Sequence, residues 1–578
     1  MAGSTISFSE WAPDLSDLGT NVSNLISGCI PQADGFGPFK SLAEFTQALP
    51  DNARGYFFAR KSDGSIAVFA GTSTRLYKLN NTTFAWDDTS KGGMAYSTLV
   101  ASDNWRFEQF ADFVIAVQSN TVPQKFVLSS ATLFVDLAGS PPNASHIAII
   151  NRFVVLTGLL SEPRRVQWSD LDGPETWTAG VGLSDFQDLP DGGTVHGISG
   201  GDAYGVIFQD EPIRMLTYSP GSAVTFTINR ISQNDPLFAQ YSPVVNGDKT
   251  AFISAQGFKI IEPGSAPRPI GKERVDRFFF GDVDRGNLQL VIGAADPTAT
   301  RFYWAYKSQS GQAGLFDKVL SYDWSIGENG RWTILPLSGE YLSALARPGL
   351  TLEQLDAIAP GQLHVLGTAA GPGGVVRLEL DAISNANFSL GTVGVPSQNF
   401  CEVQNIVGTI EGNGSWVYTI PDATHIDLVG SVWANAWISG GAIGGSLDAL
   451  PFSLDSISVA AISALSAVSS NHKVGFFTGP NIEAILETPE QDLEGQLVFI
   501  DSSRPITDCA DGMVSIAGRI RAQDVSTYTT ESAIDTRSGQ AYNLIETRYA
   551  KGRLRNPAGS TWSFARGIQP NAQPAGDT

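Results

Sequence analysis

Apolar, strand-like runs open at Ile66, Val114, Phe153, Val206, Phe252, Phe302 and Leu363, separated by 48, 39, 53, 46, 50 and 61 residues. Each interval has room for four strands of about 5–6 residues and their turns. A period of about 40–50 residues in a β-rich chain is the period of propeller blades. One four-stranded sheet cannot bury both of its faces alone, so such units stack around an axis. The expected fold is therefore all-β, with a β-propeller-like core of six to eight blades. The steps are uneven and no signature repeats strictly, which leaves a chain of β-sandwiches as the competing architecture.

The local grammar of the units is clearest in Arg164-Arg-Val-Gln-Trp-Ser-Asp-Leu-Asp-Gly-Pro-Glu-Thr-Trp177. It reads as strand, turn, strand. Arg165 to Trp168 alternates polar and apolar residues, the period of a half-buried strand. Asp172-Gly-Pro174 is strong turn chemistry. Trp86 and Trp332 close comparable units, so Trp86, Trp168, Trp177 and Trp332 are expected to pack the blades.

Composition sets the compartment and the partners. Sixty glycines and 31 prolines among 578 residues suit many short strands and turns. Charged residues make up 16%, below the roughly 25% of an ordinary soluble domain. A surface so poor in charge is expected to be covered by other chains. The net charge is 37 − 58 = −21, which argues against coating nucleic acid, because phosphate neutralisation needs clustered Lys and Arg. Cys29, Cys401 and Cys509 are far apart and odd in number, so they are read as buried free thiols. The N-terminal residues lack the basic and apolar regions of a secretory signal. The uncharged runs from Ala382 to Cys401 and from Leu428 to Leu447 are broken by Gly, Asn, Ser and Pro and do not read as membrane helices.

Four regions follow. Residues 1–50 read as an extended arm, with a capping box at Ser41-Leu-Ala-Glu44 that starts a short helix to Leu49. A second short helix is expected from Thr351 to Ile358. Residues 51–380 read as the propeller body. Residues 381–470 hold no Lys or Arg and read as an inserted β-rich tip domain, within which Ile457 to Val468 is strand or helix. Residues 471–578 return to the blade style and end in a basic stretch.

No catalytic constellation emerges. The histidines at 146, 196, 364, 425 and 472 form no metal-protease pair, and His146, in an apolar context, reads as a core histidine. There is no nucleophile elbow and no phosphate loop. Asp185, Asp188 and Asp191, and likewise Asp282 and Asp284, carry oxygen donors suited to Ca²⁺, but without the spacing of an EF-hand they read as solvated turn residues. No cofactor, catalytic residue or metal ligand is expected.

Several segments together carry a likeness to known proteins: Asn104-Trp-Arg-Phe-Glu-Gln-Phe110, Val114-Ile-Ala116, Pro123-Gln-Lys125, His146-Ile-Ala-Ile149, Phe153-Val-Val-Leu156 and Arg165-Val-Gln-Trp-Ser169. It continues through Gly205-Val-Ile-Phe208, Ile213-Arg214, Lys272, Val275-Asp-Arg277 and Leu447-Asp-Ala-Leu450. Towards the end come His472-Lys-Val-Gly-Phe-Phe-Thr-Gly479, Leu486-Glu-Thr488, Arg504-Pro505, Gly518-Arg519, Arg548-Tyr549, Pro557-Ala-Gly559 and Trp562. This string resembles the tail hub or nozzle proteins of short-tailed bacteriophages, over most of residues 1–380 and 445–578. The resemblance implies a structural virion protein of the tail, assembled in the host cytoplasm as a hexameric ring around the DNA-ejection channel. It would sit below portal and adaptor proteins and near tail fibres or spikes. DNA would pass through the lumen without specific binding, and an acidic lining would keep it from adhering.

Two surfaces follow from composition read with that resemblance. Arg548, Lys551, Arg553, Arg555 and Arg566 fall within 19 residues with no acid between them, and are expected to dock on an acidic surface of the adaptor or portal. Trp433, Trp437, Ile438 and Ile443 lie in an uncharged run, and are expected to meet their copies at a channel tip or gate. The competing function classes are a propeller-type adhesin or lectin, which would bind host cells as a free protein, and a glycan-cleaving tail enzyme, which would use two carboxylates from different blades.

Overall fold

The computed structural model describes residues 5–81, 83–346, 363–383, 390, 391, 393, 400–444 and 463–575. The chain splits into two compact units, Met1–Arg347 with Ile462–Thr578, and Pro348–Ala461.

The first unit contains a seven-bladed β-propeller. Each blade is a four-stranded antiparallel sheet; the sheet of blade 6 continues outward beyond its fourth strand. The innermost strands, one per blade, are Tyr56–Arg60, Arg106–Phe110, Ala144–Ile150, Val195–Ser199, Val244–Asn246, Ile292–Asp296 and Tyr341–Ala346. Those of blades 1 to 4 and of blades 5 to 7 pack side by side around the axis, and that of blade 7 returns against that of blade 1. Blades 4 and 5 share a core in which the Phe208 and Phe252 rings lie 5.0 Å apart.

The second strands explain the sequence period. Ile66–Gly71, Phe113–Gln118, Phe153–Leu159, Gly205–Gln209, Lys249–Ser254 and Arg301–Tyr306 are buried almost throughout. A strand covered on both faces is written as a continuous apolar run rather than an alternation. Six of the seven apolar openings are these strands. The seventh is not: Leu363 belongs to the inserted unit, and the second strand of blade 7 is Ser463–Val468, whose Ser463 pairs with Ala346 across the insertion.

Blade 7 closes the ring with strands from three distant parts of the chain. Its third strand is Val474–Phe476 and its fourth is Ala43–Glu44. The helix expected from Ser41 to Leu49 does not form. Gly475 and Phe476 offer an open strand edge to Glu44 and Ala43, and Phe45 stacks on Phe476 with ring centroids 5.3 Å apart. Ladder pairing and burial outweigh a local capping preference. The helix expected over 351–358 lies outside the described residues.

Residues 1–50 are not a free arm. Ile26–Ser27 joins the outer strand of blade 6, Arg331–Leu335, in parallel, and extends that sheet through Ala484–Glu487, Tyr549–Asn556 and Met513–Arg519. Gly28 is required at this junction. Its φ is +73°, and an added Cβ would stand 1.9 Å from the Glu483 carbonyl oxygen, while its N–H donates to the Ile334 carbonyl at 2.9 Å. A second sheet, built from Ile545–Thr547, Val498–Thr507, Ala565–Pro574, Gly35–Pro38 and Cys29–Gln32, packs on the first. Residues 471–578 therefore mostly build this flanking two-sheet module, and only Val474–Phe476 enters a blade.

One core runs from blades 5 and 6 into the module. Trp332 is its centre, fully buried between Phe258 and Trp304, with ring centroids at 5.0 and 5.7 Å. Trp168 packs between blades 3 and 4, on the Phe226 ring, and Trp177 between blades 2 and 3. Trp86 heads the outer strand of blade 1, only partly covered, its indole N–H donating to the Gln47 carbonyl. The hairpin read into residues 164–177 forms only in part. Arg165–Trp168 and the turn are there, but Trp177 lies in a loop and the partner strand is Asp185–Asp188.

Asp276 opens a short helix, Asp276–Asp282, after blade 5. Its carboxylate accepts from the Phe258 N–H at 3.0 Å, against Gly257 and Gly271, where any Cβ would collide with it. Burial pushes this carboxyl up to about 6 from 3.8. A raised acid contributes stability that is full below its ordinary pKa and lost as pH rises through about 6. Asp276→Asn keeps an acceptor for the Phe258 N–H and removes the charge. It is expected to raise stability by about 2–3 kcal/mol at pH 8 and to change little at pH 4. Urea unfolding at the two pH values checks this, and equal shifts at both would count against it.

The second unit is a closed six-stranded barrel in the order Leu363–Ala370, Val376–Leu380, His425–Leu428, Gly414–Thr419, Phe400–Gln404, Ala442–Gly444. Closure removes the exposed edges of a sheet. The insertion is thus β-rich as expected but begins near 348, not 381, and ends near 461, not 470. Its first two strands, ending at Leu380, have the apolar openings of blade strands, but they pair within the barrel.

Candidate functional site at the propeller axis

The residues just before the innermost strands, together with neighbouring loops, converge on a polar cluster at one mouth of the axis. Arg54 donates Nε to Asn104 Oδ1 at 2.9 Å and Nη2 to the carbonyls of Ala101, at 2.9 Å, and Asp103. Asn104 N–H donates to the Tyr241 hydroxyl at 2.7 Å, and that hydroxyl donates to Asp103. Asn104 Nδ2 reaches the Gln289 carbonyl at 3.0 Å. Glu340, at the head of blade 7, accepts from the Ala53 N–H at 2.7 Å and lies 2.5 Å from His472 Nδ1. Blades 1, 2, 5, 6 and 7 are tied by these bonds. Burial holds the Arg54 guanidinium below its ordinary range. Burial, with Asp103 adding, pushes the Tyr241 phenol well up, and burial raises the Glu340 carboxyl. The donors and acceptors satisfy one another, so the cluster is a fastening for the ring rather than reactive chemistry.

Below it a cavity of about 380 Å³ opens along the inner strands of blades 2 to 5, lined among others by Arg106, Glu108, Ile149, Ile198 and Val245. Arg106 lies over the Tyr241 ring at 4.9 Å. Burial pushes Glu108 up to about 7, with Arg106 opposing. His146, a buried core residue as the sequence suggests, is driven down to about 3 by burial, with Arg106 and His196 acting the same way. Arg54, Asp103, Tyr241 and Glu340 carry no local sequence signal; each is polar in a β-context, and only ring closure brings them together.

The basic C-terminal set has its partners within the chain. Lys551 pairs with Asp17 and Glu487, at 2.9 and 3.2 Å. Arg553 pairs with Glu487 at 2.5 Å, Arg555 with Glu531 at 2.6 Å and Glu483 at 3.1 Å, and Arg566 with Asp34 at 2.8 Å. Arg548 is in the same module, its Nε buried without an acceptor. The stretch holds no acid of its own because its acids come from elsewhere in the chain, Glu487 from the strand paired beside it and Asp17, Asp34, Glu483 and Glu531 from turns and loops, and the charge excess that suggested a docking surface is largely spent on folding.

The proposed gate residues divide. Ile443 is fully buried in the barrel core, and Trp433 and Trp437 lie partly buried against it. They pack within their own unit. Ile438 is 69% exposed, beside Val407, Ile410 and Val432, at 50%, 66% and 71%. Glu411 ties the loops that carry them, accepting from the Ala434 and Asn435 N–H groups at 2.6 Å. Of the segment Ile457 to Val468, read as strand or helix, Ser463–Val468 is the second strand of blade 7; residues 457–462 lie outside the described residues.

Asp185 and Asp188 lie on a strand rather than in a turn, and among the described residues all the acids of the two clusters except Asp185 pair with cations. Asp188 pairs with Arg165 at 2.7 Å, Asp191 with Arg214 and Arg230, Asp282 with Lys318 at 2.7 Å, and Asp284 with Lys307 at 2.8 Å. All three cysteines are buried free thiols, and burial pushes Cys401 up to about 12.

Neither a protein-family model nor a curated relative matches the chain. Among solved structures, the WD40 domain of Toxoplasma gondii coronin is similar at 10% identity, covering 55% of this chain and 81% of that one, with a TM-score of 0.33. Human WBSCR16 is similar at 9% identity over 59% and 97% of the two chains, with a TM-score of 0.30. Kluyveromyces lactis Hsv2p is similar at 9% identity over 47% and 75%, with a TM-score of 0.28. Likenesses at these values carry no functional weight, and the seven blades are counted from the strand pairing itself.

Proposed function

We propose that this chain is a structural virion protein, a tail hub or nozzle of a short-tailed phage, that assembles as a hexameric ring around a DNA channel and has no enzymatic role. The observation that carries the self-assembly is the apolar end of the barrel. Val407, Ile410, Val432 and Ile438 stand exposed on loops joined by hydrogen bonds to Glu411, the last two within a run from Leu428 to Leu447 without a single charge. Such a surface is covered in a working assembly, most simply by the same surface of other copies. The resemblance of the sequence segments supplies the tail setting and its neighbours, portal and adaptor proteins and tail fibres or spikes. The net charge of −21 suits a lumen past which phosphate must slide.

Negative-stain imaging and mass photometry of the purified chain test the reading. Six-membered rings are expected, and Val432→Asp with Ile438→Asp is expected to shift the population to smaller species without loss of folding. A stable monomer at micromolar concentration, or hydrolysis of host polysaccharide abolished by replacing one carboxylate, would overturn it.

A further inference from the structure

The axial cavity holds an arginine with unspent donors. Arg106 and Glu108 stand two residues apart on the innermost strand of blade 2, so they face the same side. Among the described residues no carboxylate lies within 4 Å of the Arg106 guanidinium and none accepts a hydrogen bond from it; its contact is the Tyr241 ring, at 4.9 Å. The facing walls carry the aliphatic side chains of Ile147 and Ile149 on blade 3, Ile198 on blade 4 and Val245 on blade 5, set among the polar groups of Ser199, Gly200 and Gly201. A volume of about 380 Å³ lies within the range of small-molecule sites. A planar fork of five N–H donors beside a second carboxyl, against an aliphatic wall, is the recognition chemistry of an acid with an apolar tail.

We propose that this cavity binds a small carboxylate with an aliphatic tail, its carboxylate on Arg106 and Glu108 and its tail against Ile147, Ile149, Ile198 and Val245. The guanidinium supplies paired donors to the ligand oxygens. Glu108 adds a hydrogen bond only in its protonated form, since two carboxylates would repel. Burial already pushes Glu108 up to about 7, and an anion beside it favours the proton further, so binding takes up a proton. Among the described residues the charge that acts on Glu108 is Arg106 on its own strand; Tyr241 and the buried His146 stand by Arg106, and His196, which acts on His146, is paired with Asp210. None of these carries a second negative charge into the cavity.

Isothermal titration of the full chain with hexanoate, butanoate and hexanamide decides it. Hexanoate is expected to saturate one site at millimolar concentration or below. Butanoate should bind roughly fifteenfold more weakly, at about fourfold per methylene, and hexanamide at least tenfold more weakly, having no charge for Arg106. Hexanoate affinity should fall about tenfold from pH 6 to pH 8, and Glu108→Gln should flatten that dependence. Arg106→Gln should lose binding and Arg106→Lys should recover part of it. No saturable hexanoate binding, equal binding of hexanamide, or unchanged binding in Arg106→Gln would each overturn the proposal. Should Arg106→Gln not fold, the hexanoate and hexanamide comparison on the unaltered chain still decides.

Discussion

Replacing Glu487 by alanine is expected to cost about 2–4 kcal/mol of stability, because it removes the buried carboxylate that two half-buried cations share. Glu487 is 3% exposed. Its Oε1 accepts from Arg553 Nε at 2.8 Å, Arg553 Nη2 at 2.5 Å and the Tyr528 hydroxyl at 2.6 Å. Its Oε2 lies 3.2 Å from Lys551 Nζ, which also reaches Asp17 at 2.9 Å. Three strands and the N-terminal segment meet on this one carboxylate. Arg553→Glu should be comparably severe, since it sets two carboxylates together. Arg566→Glu should stay within about 1 kcal/mol, because Arg566 and Asp34 are 49% and 61% exposed and water screens the pair. Urea unfolding of the three variants is the measurement. A loss below about 1 kcal/mol for Glu487→Ala would sink the claim that the basic strand is held by its internal partners. The comparison also bears on assembly: a particle defect in Arg553→Glu would report misfolding before it reported docking.

Deleting residues 425–447 is expected to unfold the inserted unit, whereas excising 348–461 and joining the ends with a short Gly-Ser linker should leave the propeller folded. The first deletion removes His425–Leu428 and Ala442–Gly444, two of six strands in a closed barrel. It exposes both edges and the core around Leu378, Val403 and Leu363. The second cuts where Ala346 and Ser463 already face each other across an antiparallel pair, so a tight linker restores an ordinary hairpin between the first two strands of blade 7. Expression and circular dichroism of both proteins check it. A soluble, fully folded first deletion, or an unfolded second, would refute this account of the insertion.

The sequence by itself determined the all-β class and the blade rhythm. Burial on both faces writes an uninterrupted apolar run into each second strand, from Ile66 to Phe302, and that signal is local. It also determined the buried thiols, the core role of His146, and the presence of a β-rich insertion, visible as a stretch without Lys or Arg. What it did not determine was which strand belongs to which sheet. Leu363 opens an apolar run as Phe302 does, yet it closes a barrel, because its partner Ile443 is set by a pairing far along the chain. Ala43–Glu44 carries a helix cap and is a strand, because an edge more than 400 residues away needs a partner. Arg553 and Lys551 looked like spare positive charge because a carboxylate's distance in sequence says nothing of its distance in space. Glu487 stands 66 residues from Arg553, and the antiparallel register of two strands puts them in contact. Arg106 reads as one more polar residue in an alternating strand, and only the packing of blades 2 to 5 sets it in a cavity, where among the described residues no carboxylate pairs with it.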